Sequence, residues 1–422
     1  MVFGWFPANE TPYKEAERLG PSVHITVNHH SVKKTNLHTL RTWFQESTSR
    51  YGRINTIDLL EEVRATLLNS TAEHCRKWAK VGATITGGYD SRAIASCLIK
   101  LGQQAEYSTV GKPDTADVII SKKLAEVAGL HWVHSVVQIH HNPSSELIIN
   151  EMERFVQWTD SLSDARLVFY NKEIDRDLES PGYFVGHFGE IARGFYYGRL
   201  PRVSYPFVSR FPLLWSQWKF LKDFSILAPG TIDRSKDILK LNFEQADGNG
   251  MMGMHKFDFL YLNERGRRWS SGESLNGRNN VICPYTDRGY ICLSFLLSPW
   301  RKSRNEISSF ITSRNAPQWD SVPYEKYFRH NEQGKGAVKS NAPSTDFWRS
   351  DMREGMESIL ANSNSFLFEI VDIKKVRELW RQYIYQENLK LFRNRWAGGF
   401  DQLWWDVCKL SAFGASLGKI PV

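Results

Sequence analysis

The stretch that decides the fold is residues 81–102, VGATITGGYDSRAIASCLIKLG. Its first six residues, VGATIT (81–86), form a short apolar run that is typical of a buried strand. GGYDS follows as a turn, and RAIASCLIKLG then has the pattern of a helix that Gly102 ends. A strand that passes through a tight turn into a helix is the repeating unit of a parallel sheet.

The same alternation continues along the chain. Further strands are predicted at AEYSTV (105–110), LHWVHSVVQI (130–139) and GYFVG (182–186), and helices at ADVIISKKLAEVAG (116–129, ended by Gly129), Ser145–Val156 and Ser163–Asp177. Short turns between strands and helices favour right-handed crossovers. The sequence therefore predicts an α/β fold, with a parallel twisted sheet flanked by helices.

The flanking regions differ from this core. Residues 1–50 are predicted to be a lead-in with one strand at HITV (24–27), before a helix at Ile57–Trp78. Residues 51–200 form the predicted α/β core. Residues 201–422 are rich in Trp, Phe, Leu and Arg, and are predicted to be a helical C-terminal region with loops at 262–284 and 315–347.

Composition limits the class of protein. The 422 residues are 41% apolar with a net charge of +8, which suits anionic ligands such as nucleotides. Five cysteines without a CxxC pair argue against a disulfide framework and favour a reducing compartment. We see no signal peptide and no apolar run of the ~20 residues that a membrane helix needs, so we expect a cytoplasmic protein with no membrane partner.

The turn at 84–92, TITGGYDSR, has the chemistry of a phosphate-binding loop. Gly87 and Gly88 allow close approach of the backbone to a ligand and unusual backbone conformations. The start of the following helix presents free N–H groups to an anion, and Thr86 and Ser91 add hydroxyl donors. Asp90 suits a Mg²⁺ ion bound to that anion. The alternative is an ordinary turn in which Asp and Ser cap the helix.

TITGGYDS also resembles the SGGxDS loop of N-type ATP pyrophosphatases, in particular of the asparagine synthetase family. Other segments resemble that family in the same order: STVGKPDTAD and KKLAEVAGLHWVH within 108–134, VGHFGEIARGFYY (185–197, against G-E-G-x-D-E-x-x-x-G-Y), CPYTDR (283–288) and QLWWDVCKLSAF (402–413). The resemblance implies a Rossmann-like fold of the adenine nucleotide alpha hydrolase type.

It also implies a set of site residues. ATP would be bound by Thr84, Thr86, Gly87, Gly88, Asp90, Ser91, Val110 (through its backbone, at the adenine) and Gly186. Asp90 and Glu190 would hold Mg²⁺. His187 stands where the family has its catalytic Glu, and acts either as a general base or as a plain loop residue. Arg92 either meets a phosphate or substrate carboxylate or is solvated.

Three departures from the family pattern shape the functional prediction. The family's ATP-binding Lys is not placed by the motifs, and Lys302 and Lys326 are the candidates. Val2 stands where the family's glutaminase domain has its nucleophilic Cys, so we expect no glutaminase activity in this chain. Ile191 replaces the second Glu of the family's acidic motif.

The resemblance implies an ATP-dependent, AMP-forming carbon–nitrogen ligase with ATP and Mg²⁺ as cofactors. A small-molecule or peptide carboxylate would be activated as an acyl-adenylate and then attacked by ammonia or another amine. A separate glutaminase chain is one source of that ammonia. Alternatives are a peptide lactam or isopeptide cyclase of the same family, a tRNA-modifying enzyme with the same loop, and a degenerate nucleotide-binding subunit without catalysis. Nucleic acid is not the expected partner.

Overall fold

A five-stranded parallel sheet forms the centre of the protein. The computed structural model describes residues 16–17, 19–20, 23–36, 40–136, 145–159, 182–221, 226–269, 280–331, 348–350, 352–361, 370–385 and 400–417. The strands are β1 (Val23–Asn28), β2 (Ser31–Asn36), β3 (Val81–Thr84), β4 (Glu106–Val110), β5 (Trp132–Ser135), β6 (Gly182–Phe184) and β7 (Val281–Ile282). β1 and β2 form a separate antiparallel hairpin, and the other five follow the order β5-β4-β3-β6-β7.

Helices flank the sheet and fill the rest of the described chain. They are α1 (Leu40–Tyr51), α2 (Thr56–Cys75), α3 (Tyr89–Lys100), α4 (Ala116–Ala128), α5 (Ser145–Thr159), α6 (Tyr205–Arg210), α7 (Pro212–Leu221), α8 (Pro229–Gly248), α9 (His255–Leu260), α10 (Arg288–Leu296), α11 (Pro299–Lys302), α12 (Glu306–Asn315), α13 (Glu325–Asn331), α14 (Arg353–Ala361), α15 (Ile373–Tyr385) and α16 (Phe400–Leu417). The predicted α/β class with a parallel sheet and flanking helices is confirmed.

Local sequence explains the elements around the loop. β3 is apolar and central, with Ala83 paired to β4 on one side and to β6 on the other. α2 buries the stripe of Leu59, Val63 and Leu67, which recurs at the helical period. α4 ends at Gly129, whose φ of 63° lies in the left-handed region that glycine tolerates, as the sequence predicts.

Several boundaries differ from the prediction. β3 ends at Thr84 rather than at residue 86, because the chain turns there toward α3. The predicted loop at 262–284 instead begins with a π-helix, Tyr261–Trp269, and ends with β7, and the predicted loop at 315–347 contains a 3₁₀ turn, Pro317–Trp319, and α13. The predicted helix Ser163–Asp177 and the end of the strand predicted at 130–139 lie outside the described residues.

The buried side chains form two clusters. The first surrounds the sheet and extends through residues 196–322, with Tyr197, Phe257 and Trp319 among its members. The second joins α5 to α14, α15 and α16, with Trp348 and Trp404 fully buried. Residues on both sides of position 200 contribute to the first cluster. In the described part of the chain, no helix is long and apolar enough to cross a membrane.

Candidate functional site

The strand order creates a crevice beside β3. From β3 the chain proceeds outward through β4 to β5, and β6 and β7 then add on the other side of β3. The loops that follow β3 and β6 therefore leave neighbouring strands in opposite directions. In open parallel sheets, such a switch point at the carboxyl ends of the strands is where ligands bind.

The loop after β3 is fixed by its own hydroxyl groups. The hydroxyls of Thr86 and Ser91 lie 2.6 Å apart, and Gly88 N donates to Thr86 Oγ1 at 3.1 Å. Gly88 is the N-cap of α3, and a glycine offers no side chain to the first turn. The alternative in which Asp and Ser cap the helix is therefore wrong, and the first-turn N–H groups face the crevice without a side-chain cap.

The loop's glycines are needed for space rather than for unusual conformations. Gly88 has φ −76° and ψ 170°, which any residue adopts, so the conformational part of the prediction is wrong there. At Gly87, a Cβ atom would lie 2.8 Å from Ile120 Cδ1 and 3.1 Å from Glu325 Cβ. Gly87 N also donates to Asp117 Oδ1 at 2.9 Å. Close packing against α4 and α13 therefore excludes larger side chains.

Asp90 is the point at which the two loops meet. A Cβ at Gly186 would lie 2.7 Å from Ser91 N, and one at Gly189 would lie 2.5 Å from Asp90 Cγ. Asp90 is only 9% exposed. Its Oδ2 accepts from Arg193 Nη2 at 2.5 Å, and its Oδ1 has no hydrogen-bond partner among the residues that the structure describes.

Burial dominates the electrostatics of Asp90. It raises the pKa of the carboxyl group to about 7, and the nearby carboxylate of Glu190 raises it further, whereas the positive charges of Arg193 and His187 oppose the shift. His187 is half-buried, and its charge acts on Asp90. Two predicted site residues, His187 and Glu190, are thus brought close to the phosphate-binding loop.

Glu190 lies in a 3₁₀ turn, Gly189–Ala192, that follows a strained residue. Phe188 has φ 68°, in the left-handed region that residues other than glycine rarely adopt. Glu190 Oε2 accepts from Tyr261 Oη at 2.8 Å, and its Oε1 lies 4.0 Å from Arg193 Nη2. Burial and the neighbouring Glu190 carboxylate raise the pKa of Tyr261 well above its ordinary value, so it stays a neutral donor.

The predicted Mg²⁺ ligands have the chemistry that a hard cation prefers. Asp90 Oδ1 is a buried carboxylate oxygen, and Glu190 Oε1 faces the same guanidinium. Carboxylate oxygens at this edge therefore fit Mg²⁺ in donor type. Within the described ranges, no group of three or more His, Cys, Asp and Glu is clustered as a metal site, so further ligands would have to come from phosphate and water.

The surroundings of Arg92 differ from both sequence-based predictions, in which it either met a phosphate or substrate carboxylate or was solvated. It is 1% exposed, so it is not solvated. Its Nη1 and Nη2 donate to the carbonyl oxygens of Val322 and Pro323, each at 2.9 Å, and its guanidinium lies 3.9 Å from the ring centroid of Tyr324. The guanidinium is occupied by the segment before α13 and does not face a phosphate. Glu325, at the start of α13, donates its N–H to Gly87 O at 2.9 Å.

The two lysine candidates occupy different surroundings. Lys302 is fully buried, and its Nζ donates to Asp258 Oδ2 at 2.8 Å and to Ile191 O at 3.1 Å. Through the bond to Ile191 O, Lys302 stabilises the 3₁₀ turn that contains Glu190. Lys326 is exposed, and it follows Glu325, the residue that contacts the loop. Of the two, Lys326 lies on the segment that reaches the crevice.

The remaining predicted residues line the same edge. Thr84 Oγ1 donates to Phe184 O at 3.4 Å and so joins β3 to β6. Val110 is 51% exposed at the carboxyl end of β4, where its backbone borders the crevice. Sequence reasoning missed Arg193, Tyr261 and Tyr285, whose Oη donates to Asp90 O at 2.9 Å. For Arg193 there was a signal, because it follows Glu190 by three residues in one short helical turn.

Comparison with known proteins adds no family to this description. No protein-family model matches the chain, and no curated protein matches it. The resemblance to asparagine synthetases therefore depends on the motifs themselves.

Proposed function

We propose that the crevice at the carboxyl ends of β3, β4 and β6 binds ATP. The supporting observation is the meeting of the two loops at Asp90, beside an N-terminus of α3 that lacks a side-chain cap. The triphosphate lies along residues 84–91, where backbone N–H groups and the positive end of the helix dipole face it. The adenine lies next to the exposed backbone of Val110.

The proposed reaction is AMP-forming amide synthesis on a fold of the adenine nucleotide alpha hydrolase type. A substrate carboxylate oxygen attacks the α-phosphorus, the bond to the bridging oxygen breaks, and pyrophosphate leaves. An amine then attacks the acyl carbon, the new C–N bond forms, and AMP leaves with the acyl oxygen. The chain's contribution is mainly to position the reactants and stabilise the developing negative charge.

Each site residue has one part in this proposal. Asp90 and Glu190 hold Mg²⁺, which when bound would neutralise charge on the leaving pyrophosphate. His187, half-buried beside Asp90, accepts a proton from the attacking amine. Arg92 holds the segment before α13 against the loop through its bonds to residues 322 and 323. Lys326, on α13, is the proposed cation for the phosphates.

The proposed substrates are a small-molecule or peptide carboxylate and an amine. Ammonia is the simplest amine, and a separate glutaminase chain is a proposed source of it. Peptide lactam formation by the same chemistry would use an amine within a precursor peptide.

A nucleotide-binding subunit without turnover is the second candidate. Ile191, which replaces the family's second Glu, is 1% exposed and packs in the core instead of facing the crevice. Arg193 already forms an ion pair with Asp90. Both observations favour a site that binds nucleotide without completing the reaction.

The decisive experiment is ATP–pyrophosphate exchange with labelled pyrophosphate. Exchange is screened over aspartate, other carboxylates and candidate peptides, with parallel reactions that contain ammonia. We expect exchange that depends on one class of carboxylate, and a loss of about a hundredfold in Asp90→Asn. The matched control is Asp237→Asn, which removes the same charge from an exposed position on α8. ATP binding without exchange on any carboxylate would favour the second candidate, and no ATP binding would refute both.

A further inference from the structure

We propose that Arg193 is a tethered cation that occupies the carboxylate pair of Asp90 and Glu190 and competes there with a divalent metal ion. The inference deepens the proposed function, and it depends on that function only for the nucleotide that the metal ion accompanies. The family pattern quoted above leaves the position of Arg193 unspecified, so this is a property of the present chain.

The geometry places one guanidinium nitrogen between two carboxylates. Arg193 Nη2 lies 2.5 Å from Asp90 Oδ2 and 4.0 Å from Glu190 Oε1. Asp90 is about nine-tenths buried, and its second oxygen, Oδ1, has no hydrogen-bond partner in the described part of the chain. A buried carboxylate oxygen that lacks a donor is a position that a cation can take.

The Arg193–Asp90 pair is more exposed than the Lys302–Asp258 pair. In the Lys302–Asp258 pair, the two side chains are 0% and 1% exposed, so the lysine has no route to solvent. In the Arg193–Asp90 pair, the arginine side chain is 26% exposed. The Arg193 side chain therefore reaches solvent on one side, and the proposal has it leave Asp90 by rotation of that side chain.

Charge favours replacement by a divalent ion. With both carboxylates ionised, the two carboxylates and the guanidinium carry one net negative charge, and the positive charge of His187 also acts on Asp90. A divalent cation in place of the guanidinium would add one further positive charge beside the two carboxylates. The released guanidinium keeps its planar pair of donors, which matches the geometry of a phosphate. Arg193 thus pairs with the carboxylates before the metal ion binds. After its release it can donate hydrogen bonds to a phosphate of the nucleotide.

The test measures Mn²⁺ binding to the full chain without nucleotide, from the electron paramagnetic resonance signal of free Mn²⁺. We expect Arg193→Gln to bind Mn²⁺ at least about tenfold more tightly than the native protein, because one charge-assisted hydrogen bond no longer competes. Arg199→Gln is the matched control, since it removes the same charge from an exposed residue nearby. Asp90→Asn in the Arg193→Gln background is expected to abolish the gain.

Equal or weaker Mn²⁺ binding by Arg193→Gln, or an equal gain in Arg199→Gln, would overturn the inference. Circular dichroism checks the fold, and if Arg193→Gln does not fold, Arg193→Lys replaces it. The lysine keeps the charge but loses the planar donors, so we expect a smaller gain in the same direction, and no gain would contradict the inference. Absence of ATP binding to native protein would refute the proposed function while leaving the Mn²⁺ comparison valid.

Discussion

Replacement of Lys302 by methionine is expected to destabilise the protein without removing its affinity for ATP. Lys302 Nζ lies 2.8 Å from Asp258 Oδ2, and both side chains are buried. At an effective dielectric constant of about 20, two unit charges at that distance attract each other by about 6 kcal/mol. The desolvation of both groups offsets much of this attraction. Burial lowers the pKa of Lys302, and the carboxylate of Asp258 opposes that change.

The expected loss follows from what the substitution leaves behind. Methionine preserves most of the side-chain volume, but Asp258 stays buried. Among the described residues its remaining side-chain partners are the hydroxyl of Tyr197, at 3.0 Å, and the ring of His255, at 3.1 Å. Loss of one partner from a buried ion pair typically lowers the free energy of unfolding by about 3–5 kcal/mol. Asp258→Asn alone is expected to be destabilising for the same reason.

Unfolding in guanidinium chloride, followed by circular dichroism, measures the stability of the protein. Calorimetric titration measures its affinity for ATP. The double variant Lys302→Met with Asp258→Asn is expected to be more stable than the sum of the single losses predicts, by more than about 1 kcal/mol, because it leaves no buried charge unpaired. If Lys302→Met instead keeps the native unfolding midpoint and loses ATP affinity, Lys302 contacts the nucleotide and our placement of it is wrong.

Three further predictions concern the loop, its support and the cysteines. Gly186→Ala brings a Cβ within 2.7 Å of a backbone nitrogen of α3, so we expect it to weaken ATP binding, measured by calorimetry, at least about tenfold. Gly248→Ala is the control, because a Cβ there has nothing within 4 Å, and we expect its ATP affinity to be unchanged. Arg92→Lys loses one of the two hydrogen bonds to backbone carbonyl oxygens, so we expect the free energy of unfolding to fall by about 2 kcal/mol. Unchanged stability together with a loss of ATP–pyrophosphate exchange would contradict this prediction. Burial raises the pKa of Cys97 to about 12 and that of Cys292 to about 11, so both are protonated at pH 8 and should react with Ellman's reagent only after unfolding. Rapid modification of either one in native protein, located by mass spectrometry apart from the half-buried Cys75 and Cys283, would contradict their burial.

The local parts of the fold were predictable from the sequence. β3, its loop and α3 were predicted because an apolar run, a glycine turn and a helical pattern follow each other without interruption. The stop at Gly129 was equally local. β7 was missed because a strand of two residues carries no periodicity and exists only through its pairing with β6.

The contacts of the site were predictable only in part. The sequence identified Asp90 and Glu190, but it could not show that Arg193 is bonded to Asp90, because pairing depends on how the second loop folds over α3. Arg92 was misjudged for the same reason. Its hydrogen-bond partners lie 230 and 231 residues further along the chain, and the sequence pattern of its own helix does not predict them.

The central claim is that a nucleotide lies at the carboxyl edge of β3, β4 and β6, and photolabelling with 8-azido-ATP tests it most directly. After irradiation and digestion with trypsin, mass spectrometry locates the label. We predict a label on the peptide of residues 101–122, which contains Val110, and its loss when excess ATP is present during irradiation. A label on that peptide that ATP does not displace, or an ATP-sensitive label confined to the helices after residue 348, would contradict the claim.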